Sequence, residues 1–303
     1  MKKALVFITL LVSLIALAEE APEILTAPPA LSGLYLVQNP LDIIFRAGTF
    51  NAEAFYIPVE EDLAQEGAAV LLRLNLGPLA IGGGGLYSGY NLVEDLSKGT
   101  DFEDLNGGLV ALVDAGLNLG GIVAAAYMPV PVDYKSGSMA ISGKKLNLAV
   151  GLGGITKGWR YNGYRWEKYK KGGGAIYYIN KGVMGFDENG EFYVNKDVDW
   201  LDAEVGIYST ALEKDSFAVL DMKINLNFFK LPEEERQDKL LNYLFATLQF
   251  QSGGIVLGAT YNYGRNFAFD FGISLATLKG WVETSFDTNF NMLGWGGYLQ
   301  LAF

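Results

Sequence analysis

Apolar and polar residues alternate with a period of two along most of this chain, and turn signals break the alternation at short intervals. Residues 266–276 show it best. Phe267, Phe269, Phe271, Ile273 and Leu275 fall on one parity, with Ala268, Asp270, Gly272 and Ser274 on the other. Successive side chains of a strand project to opposite faces, so this segment folds with one apolar face and one small or polar face. Residues 217–228 repeat the pattern, setting Ala218, Leu220, Met222, Ile224, Leu226 and Phe228 against Asp221, Lys223, Asn225 and Asn227. Residues 201–210 set Leu201, Ala203, Val205 and Ile207 against Asp202, Glu204, Tyr208 and Thr210. In 145–152, Leu146, Leu148, Val150 and Leu152 oppose Lys145, Asn147 and Gly151; in 70–76, Val70, Leu72, Leu74 and Leu76 oppose Arg73 and Asn75. Segments 244–251, 255–263, 281–288 and 293–303 keep the rule with some slippage.

The lengths of these segments sit near the roughly 9–11 residues that a tilted strand needs to cross a bilayer. None of the apolar faces named carries a charge, and a Lys or Arg facing lipid at mid-bilayer costs about 2–4 kcal/mol. Gly77-Pro78, Gly120-Gly121, Glu213-Lys214-Asp215, Ser252-Gly253-Gly254 and Tyr263-Gly264-Arg265-Asn266 divide the segments. Connections this short favour an antiparallel, up-and-down meander of hairpins. Leu109 to Met128 competes as a membrane helix. However, Asp114, Gly116 and Asn118 share one parity and Gly120-Gly121 sits where a hairpin would turn. Leu231 to Leu241, with Pro232, three early acids and Lys239, predicts a short helix. Residues 153–198 read as the longest irregular region, with a hairpin around Asp187-Glu188-Asn189-Gly190.

The N-terminus reads as an export signal. Lys2 and Lys3 precede the apolar stretch Ala4 to Leu17, and Ala16-Leu17-Ala18 supplies the small-x-small cleavage site. Residues 1–18 are therefore expected to be removed, leaving 19–40 as an N-terminal periplasmic segment before a barrel domain over 41–303. The full chain carries a net charge of -11, and loss of 1–18 takes away two Lys and no acid, giving -13. Such a body repels nucleic acid. Half of the residues are apolar, yet no second run resembles a membrane helix, so apolar surface must be buried or shown to lipid. With no Cys and no His, disulfides, thiol nucleophiles, imidazole bases and the usual zinc ligands are all absent. No enzymatic activity, cofactor or metal is expected. Gly82 to Gly85 lacks the Lys-Ser or Lys-Thr that a phosphate loop needs and reads as a bend or close backbone approach.

The last thirteen residues resemble the terminal strand of bacterial outer-membrane β-barrel proteins. Phe303 ends the chain, with Leu301, Leu299, Trp295 and Leu293 on its parity and Gln300 and Tyr298 on the other. The strand departs from the commonest form at Leu301, where an aromatic is frequent. The resemblance implies an all-β, antiparallel, up-and-down transmembrane barrel of the porin-like class. It also implies outer-membrane lipid and the insertion machinery as partners. Both termini then lie in the periplasm and the strand count is even, with fourteen expected and twelve to sixteen the range. Long loops of such barrels are extracellular and short turns periplasmic, so 153–198 is expected outside the cell.

Parity then places Arg73, Lys145 and Lys223 on the inward face with Asp114, Asp202, Glu204, Asp221, Asp270, Glu283 and Asp287. Seven acids against three bases give a cation-favouring lumen, unless these charges pair with one another and fill it. Asp202 and Glu204, two positions apart, read as wall rather than as a catalytic pair. The segment Lys157 to Lys171 stands apart from this acidic background. It holds Lys157, Arg160, Arg165, Lys168, Lys170 and Lys171 against Glu167, with Trp159, Tyr161, Tyr164, Trp166 and Tyr169 interleaved. An exposed hairpin with interfacial aromatics is the plain reading; contact with lipopolysaccharide phosphates and an inward fold that narrows the lumen are the others. The expected function is a passive or weakly cation-selective channel for small hydrophilic solutes. A non-conducting structural or surface-interaction barrel is the alternative, a carrier for hydrophobic compounds the third reading, and an exported soluble β-protein the outlier. Oligomeric state is not legible.

Overall fold

The computed structural model describes residues 39–45, 49–60, 63–101, 105, 107–133, 136–161, 164, 166–213, 216–275 and 278–302. The cleavage residues Ala16 and Ala18, and the terminal Phe303, lie outside them. Fourteen long strands carry the fold. The first seven are β1 (Thr49–Glu60), β2 (Leu63–Leu76), β3 (Leu79–Tyr90), β4 (Gly107–Asn118), β5 (Gly121–Asp133), β6 (Asn147–Tyr161) and β7 (Trp166–Asn180). The second seven are β8 (Ala203–Glu213), β9 (Ser216–Asn225), β10 (Leu244–Ser252), β11 (Ile255–Asn262), β12 (Asn266–Leu275), β13 (Leu278–Asp287) and β14 (Met292–Ala302).

Every consecutive pair is antiparallel, and β14 returns to pair with β1 from Thr49↔Ala302 to Tyr56↔Trp295. The pairings therefore run round a ring of fourteen strands with no open edge. That closure gives every strand a hydrogen-bonded neighbour on both sides, the condition for a sheet to stand in lipid.

The alternation sorts the two faces as expected. On β12, Phe271, Ile273 and Leu275 are 65%, 57% and 64% exposed, while Ala268, Asp270 and Ser274 are 1%, 5% and 7% exposed. Val70, Leu72, Leu74, Val113, Leu152, Ile176, Ile207, Met222, Leu257 and Val282 continue the exposed apolar face around the ring. A continuous belt of this kind is far larger than a water-soluble surface carries. Among the described residues no helix is long and apolar enough to cross a membrane.

The two ends of the ring differ. The start of β1, the end of β14, the turns at 77–78, 119–120 and 253–254, and the β6–β7, β8–β9 and β12–β13 connections share one end, that of the termini in strand order. The connections 91–106, 134–146, 181–202 and 226–243 occupy the other. They contain the helices α2 (Leu92–Ser97) and α3 (Glu233–Lys239) and a small sheet pairing Met184–Phe186 with Phe192–Val194. Helix α3 opens after Pro232 with Glu233, Glu234 and Glu235 and closes on Arg236 and Lys239, as its dipole favours.

The structure bears out the hairpin reading of Leu109 to Met128 and corrects two boundaries. Leu109 to Met128 forms part of the β4–β5 hairpin and is not a helix. The supposedly irregular stretch 153–198 is split: residues up to 180 complete the long strands β6 and β7, and only 181–198 belongs to a loop at the opposite end. Its glycines and dense charges mask the alternation, but β6 and β7 still exchange ladder bonds from Leu148↔Asn180 to Tyr161↔Trp166. Finally, Asn39 and Pro40, at the end of the expected N-terminal periplasmic segment 19–40, are buried with helix α1 (Asp42–Phe45). Residues 19–38 lie outside the described residues.

Candidate functional site

The strands place two kinds of inward side chain around the ring. On β9–β13 the wall is polar and its members bond to one another. The Thr247 and Thr260 hydroxyls lie 2.7 Å apart, the Asn262 amide donates to Asn266 Oδ1 at 3.0 Å, and the Asn266 amide donates to Ser285 Oγ at 3.3 Å. Asp270 sits opposite Glu283 in the β12–β13 register, and both are buried. Burying such groups is tolerable only where partners replace water.

Charge pairs span strands. The Arg73 guanidinium donates from Nε and Nη2 to Asp114 Oδ2, at 2.8 and 2.7 Å, with both side chains at most 1% exposed. Gly82 makes room for this pair, since a Cβ there would come 1.7 Å from Asp114 Oδ1. That is the close approach expected of the Gly82–Gly85 run. Lys223 Nζ lies 3.0 Å from Glu204 Oε2 and 4.7 Å from the centroid of the Phe245 ring. The Tyr263 hydroxyl donates to Glu204, and the Tyr177 hydroxyl donates to Asp221.

On β5–β8 the wall is apolar and small. Val123, Ala125, Ala149, Ala175, Ile179 and Tyr208 form one buried cluster with Leu41, Ile43, Ile44 and Phe45. The N-terminal segment thus enters the lumen and packs along this wall. Asn39 and Pro40 open a tight turn, the Asp42 amide donating to the Asn39 carbonyl at 3.0 Å. Phe45 stacks on Tyr208 with centroids 4.8 Å apart. Glycines provide the berth: a Cβ on Gly116 would fall 2.6 Å from Ile43, and one on Gly173 3.0 Å from Phe45. On the strand next to that of Tyr208, whose register partner is Asp221, the Asn39 amide donates to Asp221 Oδ2 at 2.9 Å. The Asn39–Asp221 bond and an apolar face hold the plug.

Seven of the ten charged residues expected on the inner face are placed on it: Arg73, Asp114, Glu204, Asp221, Lys223, Asp270 and Glu283. Three are corrected. Lys145 is exposed and lies just before β6, where a turn from Ile141 to Lys144 delays the strand. Asp202 is exposed just before β8; its amide donates to the Asp199 carbonyl and its carboxylate accepts from Asn227. Asp287 ends β13 and closes a turn, accepting from the amides of Asn289 and Asn291. For Lys145 and Asp202 parity had been extended past the strand ends, whereas Asp287, opposite Asn266, sits at the rim of the inner wall. Five acids and two bases of that set remain inside.

Of the basic aromatic segment, Lys157, Trp159, Arg160, Trp166, Lys168 and Lys170 have a described backbone register within the β6–β7 ladder. Lys171 falls at its irregularity, Arg165 lies outside the described residues, and Tyr164 at the tip is 94% exposed. This hairpin leaves the ring at the end that holds the termini, not at the end of the long loops. On the C-terminal strand, Trp295 and Leu299 face outward, 45% and 40% exposed, while Leu301 pairs with Phe50. Asn39, Phe45, Tyr177 and Tyr263 are interior residues that periodicity did not single out. Among the described residues no cluster of potential metal ligands is found.

These features define a membrane-spanning antiparallel β-barrel with an internal N-terminal plug. No known family's sequence profile matches the chain, and no curated protein matches it. Solved structures of three mutant forms of the porin of Rhodopseudomonas blastica are similar to it at 8% identity, covering 84% of this chain and 99% of theirs, with TM-scores of 0.35, 0.36 and 0.36.

Proposed function

We propose that this protein is an outer-membrane channel for small hydrophilic solutes, held closed by its own segment 39–45. The observation that carries this reading is the plug, which stands inside the ring against a preformed glycine berth and reaches one lumen carboxylate through Asn39. A segment that belongs to no strand of the ring, docked through Asn39 and an apolar face, can leave without unfolding a strand. The path then exposed is walled on one side by Asp221, Asp270 and Glu283, and the acids outnumber the bases, which favours cations weakly. The experiment is planar-bilayer recording of the refolded mature chain beside a variant lacking 39–45, under a salt gradient. The variant should show stable steps with a cation-selective reversal potential, and the complete chain brief or rare ones. Silence from both, with folding and insertion established, would instead support a non-conducting structural barrel.

A second reading rests on the apolar β5–β8 wall, which the alternation had hidden: a carrier for hydrophobic compounds that displace Ile43, Ile44 and Phe45. Swelling of proteoliposomes separates the two, since sugars should enter through the channel and alkyl compounds through the carrier.

A further inference from the structure

The hairpin tip of β6 and β7 has no role in closing the ring. The β5–β6 ladder stops at Gly121↔Gly153 and the β7–β8 ladder at Gly172↔Ala211. Beyond those rungs, among the described residues, β6 and β7 pair with each other alone from Lys157↔Lys170 to Tyr161↔Trp166. A two-stranded ribbon therefore projects roughly 15 Å past its neighbours, at about 3.3 Å per residue. The ladder slips between Thr156 and Lys157, so an irregularity marks the place where ribbon departs from wall, as bulges commonly do.

The register sorts the ribbon's positions into two unlike faces. Residues directly opposite one another share a face, which puts Lys157 with Lys170, Trp159 with Lys168 and Tyr161 with Trp166 on one side. That face combines three bases with three aromatics and no acid. The other carries Gly158 with Tyr169 and Arg160 with Glu167. Two lysines directly opposed destabilise a free ribbon, and an anionic partner converts that penalty into binding. The rest of the mature chain is strongly acidic, so a polyanion meets a favourable field chiefly here.

We infer that this ribbon docks onto the cell-wall polymer, an amino-sugar glycan carrying carboxylate-ended peptides. The inference rests on the outer-membrane reading, under which the end holding the termini faces the periplasm. The chemistry is complementary on both counts: aromatic rings offer flat apolar faces to sugar rings, and the bases offer charge-assisted hydrogen bonds to the carboxylates. Projection beyond the neighbouring strand ends suits a polymer standing off the membrane better than headgroups lying in it.

The test is co-sedimentation of the refolded full chain in detergent with purified cell-wall sacculi, beside a variant carrying Lys157→Glu, Lys168→Glu and Lys170→Glu. A variant with the same three positions changed to Arg serves as the charge-preserving control. Heat-dependent gel mobility checks that each barrel is folded. Sedimentation of the parent, a loss of at least tenfold in the Glu variant and retention in the Arg variant support the inference. Equal sedimentation of all three, or none by a folded parent, overturns it. So does a charge-dependent flotation with anionic phospholipid vesicles in place of sacculi, which would assign the ribbon to lipid. Fractionation away from the outer membrane would instead sink the reading on which the inference rests, whatever the sacculi do.

Discussion

The interior wall of β5–β8 and that of β9–β13 arise from the same alternation but are filled in opposite ways. The first turns Ala125, Ala149 and Ala175 inward and leaves a shallow apolar trough, which Leu41, Ile43, Ile44 and Phe45 fill. The second turns Asp221, Thr247, Thr260, Asn266, Asp270 and Glu283 inward and ties much of itself together with hydrogen bonds. A small side chain on an inner wall creates room for another segment, whereas a long polar one consumes that room and demands a partner. The plug lies where the wall is smallest for that reason. Asn39, bonded to Asp221, links it to the polar side.

The contrast can be broken most severely at the charge pairs. Arg73→Ala leaves Asp114 buried without its guanidinium, and losing one member of a buried pair costs about 3–5 kcal/mol. The folded band should persist to a markedly lower temperature in heat-modifiability gels. Replacing both residues by Leu should recover much of that loss; equal instability of single and double variants would refute the pairing. Next in size is Gly116→Val. Overpacking typically costs about 1–3 kcal/mol, and here it should fall on the plug, because the new side chain meets Ile43 and Ile44. Channel openings should increase while the melting of the barrel changes little. Thr247→Val should cost about 1 kcal/mol, the worth of an ordinary internal hydrogen bond, with no change in plug accessibility. An opened channel from that substitution would deny the separation of the two walls.

The smallest effect lies outside the membrane. Lys230 Nζ sits 2.7 Å from Asp199 Oδ2, and this bond, aided by the Leu201 amide, holds the Asp199 carboxyl below its ordinary value. A carboxyl lowered on folding stabilises the folded form above its unfolded value of about 3.9. That contribution is lost as the pH falls through the lowered one. Limited proteolysis of the 181–202 loop should therefore stay constant from neutral pH to about 4 and rise only below it. In Asp199→Asn the same loop should be cut at one rate throughout.

The ring was largely legible in the sequence, and the plug was not. Strand β12 and the β8–β9 pair announce themselves because large apolar residues face lipid and charged ones face inward. The β4–β5 hairpin is betrayed by Gly120-Gly121. Alternation loses its contrast where both faces are small, which is why the apolar trough around Ala125, Ala149 and Ala175 went unread and the carrier reading looked weak. It also says nothing about where a strand ends. Lys145 and Asp202 were carried onto the inner wall by parity that the chain abandons one or two residues away. The segment Asn39 to Phe45 is too short for periodicity, and its burial depends on a berth formed by Gly116 and Gly173, both distant in sequence.

The occupancy of the lumen is the claim on which the account turns, and the absence of natural cysteine makes it directly measurable. Ile43→Cys and, as the exposed reference, Ser138→Cys would be refolded separately into lipid and treated with a water-soluble maleimide. The account predicts that the thiol at 43 stays unmodified until the barrel is denatured, while that at 138 reacts at once. Equal rates of modification at the two positions would show that the N-terminal segment does not occupy the barrel.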